Sequence, residues 1–333
     1  MRKKILVTGG AGYIGSHTVI KLFLSGYMPI IVDNLCNTSK RNLIGINKIL
    51  NTNITFHKLD CTDLKQMGDI FKIYKDIFAC IHFSAFKSIS DSFENPQKYH
   101  LNNIGSTEVL LKCLDKNKFK NLIFSSSCTV YGTPSSSPIN ECTPFNKAES
   151  PYAETKQKCE FLIKNSKCNT VSLRYFNPIG SHDSTLIGDC SSDMSSNLVP
   201  IIAEVAAGSR KELIINGTDY DTRDGTCIRD YVHVEDVALA HIKALDYLKS
   251  NSGKSVFNVG TGNGLSVLDI INAFEEVNNL KVNYVFGPRR RGDIDKIYSD
   301  GKKIKTVLGW EPTKTTKEAL LSAWKWQVSV MKN

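Results

Sequence analysis

Short runs of branched and aromatic residues alternate with longer amphipathic stretches over the first half of the chain, a rhythm that predicts parallel strands joined by helices. Six strands are expected, over residues 4–8, 29–33, 54–59, 78–83, 121–126 and 170–175. Their near-continuous apolar character suits strands covered by helices on both faces. Between Asn95 and Asn117 the side chains Leu101, Ile104, Leu111 and Leu114 recur at helical spacing and predict one long helix. Tyr152, Cys159 and Leu162 mark a second.

From about Phe176 the rhythm loosens into Gly-, Asp- and Ser-rich stretches, and residues 180–196 form the longest expected loop. A second, smaller unit is expected to begin there. A helix is predicted over residues 232–249, and the apolar run 256–259 before Gly260-Thr261-Gly262 is suited to return to the first sheet. The expected fold class is α/β, a doubly wound parallel sheet with a smaller α/β substrate-binding domain. The expected division places residues 1–178 in the first domain, with 232–260 returning to it, and 179–231 with 261–333 in the second.

Hydrophobic residues make up 41% of the 333 and charged residues 23%, which excludes a disordered or fibrous chain. The formal charge is +9, but the excess is Lys scattered along the chain, which fits a solvated surface and a small phosphorylated ligand better than nucleic acid. None of the ten cysteines is paired as C-x-x-C, and Cys80, Cys113 and Cys159 read as small buried hydrophobes. Behind Arg2, Lys3 and Lys4 only Ile5, Leu6 and Val7 precede the glycines, too short for a signal-peptide core. No apolar stretch reaches membrane-spanning length, so a reducing, cytoplasmic location is expected.

The first strand runs directly into Thr8-Gly9-Gly10-Ala11-Gly12-Tyr13-Ile14-Gly15. Glycines there let the backbone turn sharply against a pyrophosphate, whose charge then lies at the N-terminal end of a helix. The spacing reads equally as Gly10-x-Gly12-x-x-Gly15 or as Gly9-x-x-Gly12-x-x-Gly15. The second strand ends in Asp33, 18 positions past Gly15, where a carboxylate accepts hydrogen bonds from both adenosine ribose hydroxyls and repels a 2′-phosphate. The expected cofactor is therefore NAD, and the sheet is expected to be of the Rossmann type.

Ser127 follows the fifth strand, and Tyr152 and Lys156 stand four apart, on one face of a helix. A free Tyr ionises near ~10, so a useful phenolate at neutral pH needs about 4 kcal/mol of differential stabilisation. The Lys156 ammonium and an oxidised nicotinamide ring are the two positive charges expected to supply it.

Together, Gly9-x-x-Gly12-x-x-Gly15, Ser127 and Tyr152-x-x-x-Lys156 resemble the extended short-chain dehydrogenase/reductases. Further runs resemble the branch of that family that inverts C4 of UDP-hexoses. These are Asp33-Asn34-Leu35, Arg174-Tyr175-Phe176-Asn177-Pro178, Gly225-Thr226-Cys227-Ile228-Arg229-Asp230-Tyr231 and Pro288-Arg289-Arg290-Arg291-Gly292-Asp293. The resemblance runs on to Trp324-Lys325-Trp326-Gln327, effectively the whole chain.

The resemblance implies interconversion of UDP-galactose and UDP-glucose with Tyr152 as base, Ser127 on O4 and Lys156 beside them. It implies that Gly9, Gly12, Tyr13, Ile14 and Gly15 cradle NAD and that Asp33, Asn34, Asp60 and Cys61 contact its adenosine half. Phe83, Lys87 and Asn102 would meet the cofactor too, with Tyr175 at its nicotinamide end. For the substrate it implies Asn177, Asn197, Leu198, Arg229, Arg290 and Asp293 around UDP, Lys87, Ser127 and Tyr152 towards the sugar, and Asn216 and Ile297 as further contacts. Arginines suit a diphosphate because the guanidinium fork offers paired donors. No metal is expected, and family members are commonly homodimers joined through helices around residues 96–116 and 150–165.

Two positions depart from commoner members. Asn216 stands where an aromatic residue often stacks near the uracil, and Ile297 falls where residue size gates N-acetylated sugars, so partial use of UDP-N-acetylhexosamines is expected. Related dehydratases carry acidic residues just after the catalytic Ser or Thr, whereas Cys128 and Thr129 stand here. Epimerases of UDP-glucuronate or UDP-pentoses are the alternatives within the family. From other classes, a catalytically silent NAD-binding regulator is opposed by intact Ser127, Tyr152 and Lys156.

Overall fold

The computed structural model describes residues 2–190 and 195–332. The chain opens with β1 (Lys4–Thr8), α1 (Tyr13–Leu24), β2 (Met28–Asp33), α2 (Arg41–Leu50), β3 (Thr55–Lys58), α3 (Leu64–Ile73) and β4 (Ile77–His82). It continues through α4 (Ile89–Glu94), α5 (Pro96–Tyr99), a π-helical turn (His100–Ile104), α6 (Gly105–Lys116), β5 (Asn121–Ser127), α7 (Pro151–Lys164) and β6 (Asn169–Tyr175). Then follow β7 (Asn177–Ile179), α8 (Leu198–Ala206), β8 (Leu213–Asn216), β9 (Ile228–His233), α9 (Val234–Leu248) and β10 (Lys254–Val259). The last elements are β11 (Gly264–Ser266), α10 (Val267–Asn278), β12 (Tyr284–Gly287), β13 (Lys296–Ile297), α11 (Lys302–Leu308) and α12 (Thr316–Met331).

Seven strands form one parallel sheet in the order β10-β6-β5-β4-β1-β2-β3. Chain order reverses at β1, which lies between β2 and β4, and in open sheets of this kind the ligand crevice lies at the carboxyl ends of strands at such a point. One face buries Ile5, Val7, Ile31 and Ile81 under α1 and α9; the other buries Leu6, Ile30, Cys80, Leu122 and Phe124 under α3, α6 and α7. Strand alternation sends neighbouring residues of β1 to opposite cores, which is why both parities are apolar. Cys80, Cys113 and Cys159 are buried as expected, and all ten cysteines are free.

Two helix expectations need correction. The segment from Asn95 to Asn117 is not one regular helix, because the π turn over His100–Ile104 interrupts it. A wider turn rotates the following residues around the axis, so Leu101 leaves the apolar stripe and is 74% exposed while Asn103 points inward. The helix expected from residue 232 begins instead at Val234, since Val232 and His233 complete β9 and pair with Pro178 and Ile179 of β7. Glu235 and Asp236 in the first turn suit the positive end of α9.

The remaining strands form two small sheets, β11-β9-β13 with β7 on β9, and β12 on β8, packed on a separate core of Val199, Ile202, Leu213, Ile270, Phe274 and Leu320. Of the expected loop 180–196, residues 191–194 lie outside the described residues. Residues 180–190 are strapped down on both sides. Asn42 of α2 donates to the Gly188 carbonyl and accepts from the Gly188 N–H, at 3.1 and 3.2 Å. A side chain at Gly45 or Gly188 would overlap the Leu186 carbonyl or the Trp326 indole, so glycine permits both close approaches. Trp326 of α12 donates to the Asp189 carbonyl at 3.2 Å.

Candidate active site

A cavity of about 980 Å³ opens at the carboxyl ends of the sheet strands. The glycine turn and Asp33, the group Arg229, Arg290 and Asp293, and Ser127, Tyr152 and Lys156 all line it. Of the residues singled out in the sequence, Gly9, Gly12, Tyr13, Ile14, Gly15, Asn34, Asp60, Cys61, Phe83, Lys87, Asn102, Tyr175, Asn177, Asn197, Leu198 and Ile297 also border it. Asn216 does not: it ends β8, whose partner is β12 in the separate two-stranded sheet.

The glycine turn has the shape a pyrophosphate requires. Gly9 adopts φ +69°, and a side chain there would meet the Ser84 nitrogen at 2.7 Å; one at Gly15 would overlap the Gly9 carbonyl. Of the two spacings open in the sequence, the one beginning at Gly9 thus contains the left-handed residue. No side chain caps α1, and its first turn carries no acidic residue, so the positive end of its dipole faces the cavity undiminished. Asp33 accepts from the Ala11 N–H at 3.1 Å and the Leu35 N–H at 2.9 Å, which ties the end of β2 to the turn. Burial pushes its carboxyl up, against those two hydrogen bonds. Beside it, Asn34 donates to Asp60 at 3.2 Å, and burial pushes the Cys61 thiol up to about 12, leaving it a neutral contact. Uncapped helix, glycine cradle and a carboxylate at the end of β2 together fit NAD.

Serine, tyrosine and lysine meet through two elements. Ser150 caps α7 by accepting from the Ala153 N–H, and Pro151 fixes its first turn, which sets where Tyr152 enters the cavity. Lys156 is 4% exposed, and its Nζ donates to the Ser125 carbonyl at 2.6 Å while lying 5.9 Å from the Tyr152 ring centroid. Burial brings Lys156 down to about 8. Ser127 accepts from the Thr129 N–H at 3.2 Å and the Thr129 hydroxyl at 3.0 Å, and its side chain is the group that lowers the buried Tyr152 phenol.

The expected acidic phenol is not a property of the chain alone. Burial raises Tyr152, and only the Ser127 hydrogen bond opposes that among the causes at work. Lys156 directs its ammonium at the Ser125 carbonyl and is not among the groups that shift the phenol.

Also on the cavity wall, Arg290 grips Asp293 with Nε at 3.2 Å and Nη2 at 2.7 Å, and Arg229 Nη2 stands 3.5 Å from the same carboxylate. Arg229 also donates to the Ile228 and Ile294 carbonyls, at 2.9 and 2.6 Å, which joins β9 to the 288–294 segment. Asn197 begins α8, a second helix start on the wall without a side-chain cap. Ile297 is 2% exposed, packed with Cys128, Tyr131 and Phe176. Lys87 is paired with Asp189 at 2.8 Å and lies 5.5 Å from the Tyr13 ring.

Sequence reasoning missed several residues. Asn103 accepts from the Phe86 N–H at 2.9 Å and donates to the Phe86 carbonyl at 3.1 Å and to Thr155 at 3.2 Å, fastening the cavity loop to α7. His241 receives the Tyr175 hydroxyl, and Tyr231, Arg210 and Trp326 border the cavity. Tyr231 and Trp326 stand inside runs quoted from the sequence without being singled out; no motif flagged Asn103, His241 or Arg210, and Asn103 stands inside an apparently regular helical period. Among the described residues no group of His, Cys, Asp and Glu is placed to hold a metal ion, and no helix is long and apolar enough to cross a membrane.

Comparison with known proteins agrees with this geometry. Residues 6–322 match the family model described as GDP-mannose 4,6 dehydratase. The chain is 41% identical to the UDP-glucose 4-epimerase of Bacillus subtilis (strain 168), over 98% of this chain and 97% of the relative. Its structure resembles the Stenotrophomonas maltophila UDP-glucose-4-epimerase solved with bound NAD and formylated UDP-arabinopyranose, with TM-score 0.95, 38% identity and 99% of each chain covered. The UDP-glucose 4-epimerase from Bifidobacterium longum in complex with NAD+ and UDP superposes with TM-score 0.94, 40% identity and 98% of each chain covered.

Proposed function

This chain belongs to the UDP-glucose 4-epimerase family, within the wider GDP-mannose 4,6 dehydratase family, and from that premise we propose how its own residues carry out the reaction. The protein is an NAD-dependent epimerase that interconverts UDP-galactose and UDP-glucose. The observation that carries the reading is that Ser127, Tyr152 and Lys156 line the same cavity as the glycine turn and the group Arg229, Arg290 and Asp293.

Gly9 to Gly15 and the start of α1 hold the pyrophosphate of NAD, and Asp33 takes its adenosine ribose hydroxyls. NAD held there would supply an acceptor and donor of hydride for sugar C4 and a positive charge beside the phenol. Tyr152 removes the proton from the 4-hydroxyl, Ser127 holds O4 by hydrogen bond, and Lys156 stabilises the phenolate. Arg229 and Arg290 hold the diphosphate, with Asp293 on uridine hydroxyls, while the 4-keto sugar turns about its link to the diphosphate and presents its other face. Net oxidation is zero. Elimination of a hydroxyl is disfavoured because Cys128 and Thr129, not carboxyl groups, follow Ser127.

Residues 1–178 with 232–260 serve the cofactor in this reading, and 179–231 with 261–333 the UDP-sugar. Two molecules pair through the helical segments around residues 96–116 and 150–165, where Leu101 and Phe161 lie 74% and 68% exposed, and the enzyme works in the cytoplasm. Ile297 leaves room for partial use of UDP-N-acetylhexosamines. A relative solved with formylated UDP-arabinopyranose makes UDP-pentoses the second reading. Incubation of purified protein with UDP-galactose, with and without added NAD, should yield UDP-glucose; no UDP-glucose under either condition, or faster turnover of a UDP-pentose in competition, overturns the assignment.

A further inference from the structure

Three consecutive serines at the end of β5 each meet one rung of α7. Ser127 engages the Tyr152 phenol, the Ser125 carbonyl accepts from Lys156 Nζ at 2.6 Å, and the Ser126 hydroxyl donates to Glu160 Oε1 at 2.5 Å. Tyr152, Lys156 and Glu160 are spaced by four and so lie along one face of the helix. The first two border the cavity; Glu160 is not on its wall.

Glu160 also receives Arg174 of β6 through both oxygens, with Nε to Oε1 at 2.8 Å and Nη2 to Oε2 at 2.6 Å. The two side chains are 8% and 6% exposed. Arg174 Nη1 donates to the Tyr131 hydroxyl at 2.8 Å, and Tyr131 donates to Asn258 of β10 at 2.7 Å. The guanidinium lies 4.8 Å from the Tyr131 ring centroid and 4.7 Å from that of Phe145. One ion pair thereby joins α7, three adjacent strands and the turn after Ser127. Well-packed apolar residues stabilise a core about as well as such a pair, whereas two parallel charge-assisted bonds fix position and orientation in a way apolar contact does not.

We propose that Glu160 and Arg174 are positioning residues for the epimerase reaction, locking α7 in register with β5 and β6 so that Tyr152 and Lys156 face Ser127. The inference rests on the roles given above to Tyr152 and Lys156. Charge adds to position. The titratable and charged groups about the ammonium are Tyr152, Cys159 and Glu160 from its own helix and His82 from β4, with Arg174 behind Glu160. Burial keeps His82 neutral, at about 3, and raises the Cys159 thiol. Glu160 is thus the anion of that set, and it favours the charged form of Lys156 against burial.

The test compares wild type with Glu160→Gln, Glu160→Asp and Ser126→Ala, reading kcat and KM for UDP-galactose, NAD content and the pH profile of kcat. In Glu160→Gln, kcat should fall at least ~tenfold with KM and NAD content nearly unchanged, as expected for a small misplacement of reacting groups. Loss of the anion also makes Lys156 release its proton at lower pH, so the alkaline limb of kcat should move down by about half a pH unit or more. Glu160→Asp keeps the charge and should restore the limb. If Glu160→Gln does not fold, Ser126→Ala leaves the ion pair in place and should still lower kcat roughly two- to tenfold at constant KM. The proposal is overturned if Glu160→Gln turns over normally, if its kcat falls only together with stability and NAD content while the limb stays fixed, or if Ser126→Ala is indistinguishable from wild type. Wild type that fails to epimerise would defeat the enzymatic reading itself, a distinct outcome.

Discussion

Tyr175 and His241 are joined by a 2.6 Å hydrogen bond whose direction is fixed by a second one. His241 Nδ1 lies 2.8 Å from the Val237 carbonyl and must carry the ring proton to bond there, so Nε2 is the acceptor and the Tyr175 hydroxyl donates. Burial lowers His241 to about 4, which keeps it neutral at working pH. Two tyrosines therefore border the cavity with different commitments: the Tyr175 proton is engaged, and the Tyr152 phenol faces Ser127.

Replacing each tyrosine by Phe should separate those commitments. Tyr152→Phe removes the proton acceptor and should cost roughly 10²–10⁴ in kcat, the usual worth of a positioned base. Tyr175→Phe should stay within about tenfold of wild type, because it loses a bond to a buried neutral imidazole, of order 1 kcal/mol. Steady-state conversion of UDP-galactose distinguishes them, and equal losses in both variants would count against the assignment of the base.

Cofactor retention should depend on Gly9 more than on Gly12. An added methyl at Gly9 meets the Ser84 nitrogen at 2.7 Å from a left-handed backbone, whereas at Gly12 the nearest atom, the Gly9 carbonyl oxygen, is 3.2 Å away. Gly9→Ala should leave the purified protein largely without NAD, and Gly12→Ala should retain more. Nucleotide released on denaturation, measured per mole of protein, gives the answer; full occupancy in Gly9→Ala would contradict the cradle.

Arg290→Ala should weaken UDP binding. It removes a guanidinium that offers two donors and leaves Asp293 without its 2.7 Å partner. A lost hydrogen bond to a charged group is worth about 1.5–3 kcal/mol, or roughly 10- to 150-fold in Kd. Arg290→Lys should recover only part of it, since an ammonium cannot make the paired contact. Calorimetric titration with UDP reads both, and unchanged affinity in Arg290→Ala would remove this residue from the site.

Acid should destabilise the fold before any carboxylate pairs are lost. Burial lowers His17 and His82 to about 3 and His241 to about 4, below the ordinary 6.5. The unfolded chain takes up those protons first, so the stability these groups confer is complete above about 6.5 and is lost as pH falls towards 4 and then 3. Each histidine removes about 1.4 kcal/mol per pH unit inside that window. Urea midpoints at pH 7, 6 and 5 should therefore fall in sequence, and a flat profile would show that these imidazoles protonate in place.

Much of this was legible because the physics is local. Asp33 closes an apolar strand, Gly9 and Gly15 stand where no side chain fits, and Tyr152 and Lys156 share a helix face; each relation follows a spacing visible in the chain. The dispersed contacts were not legible. Asn103 turns inward to Phe86 and Thr155 only through a π turn, and nothing in the apolar period at 95–117 announces a widened turn, so Leu101 was assigned inward although it faces out. His241 sits on α9, 66 positions from Tyr175, and Arg174 finds Glu160 only after β6 and α7 are packed. Asn216, read from a familiar run as a ligand contact, ends β8 beside β12 and is not among the residues that line the cavity.

The indole of Trp326 lies so close to Gly188 that nothing larger than glycine fits between the last helix and the strap, and its N–H holds the Asp189 carbonyl. The final turns of the chain are therefore part of the compartment's outer wall. Shortening the protein from its carboxyl terminus past this indole, or appending bulk that levers α12 away, would unbuckle residues 180–190 and let the nucleotide escape, even though every residue that does chemistry was left untouched.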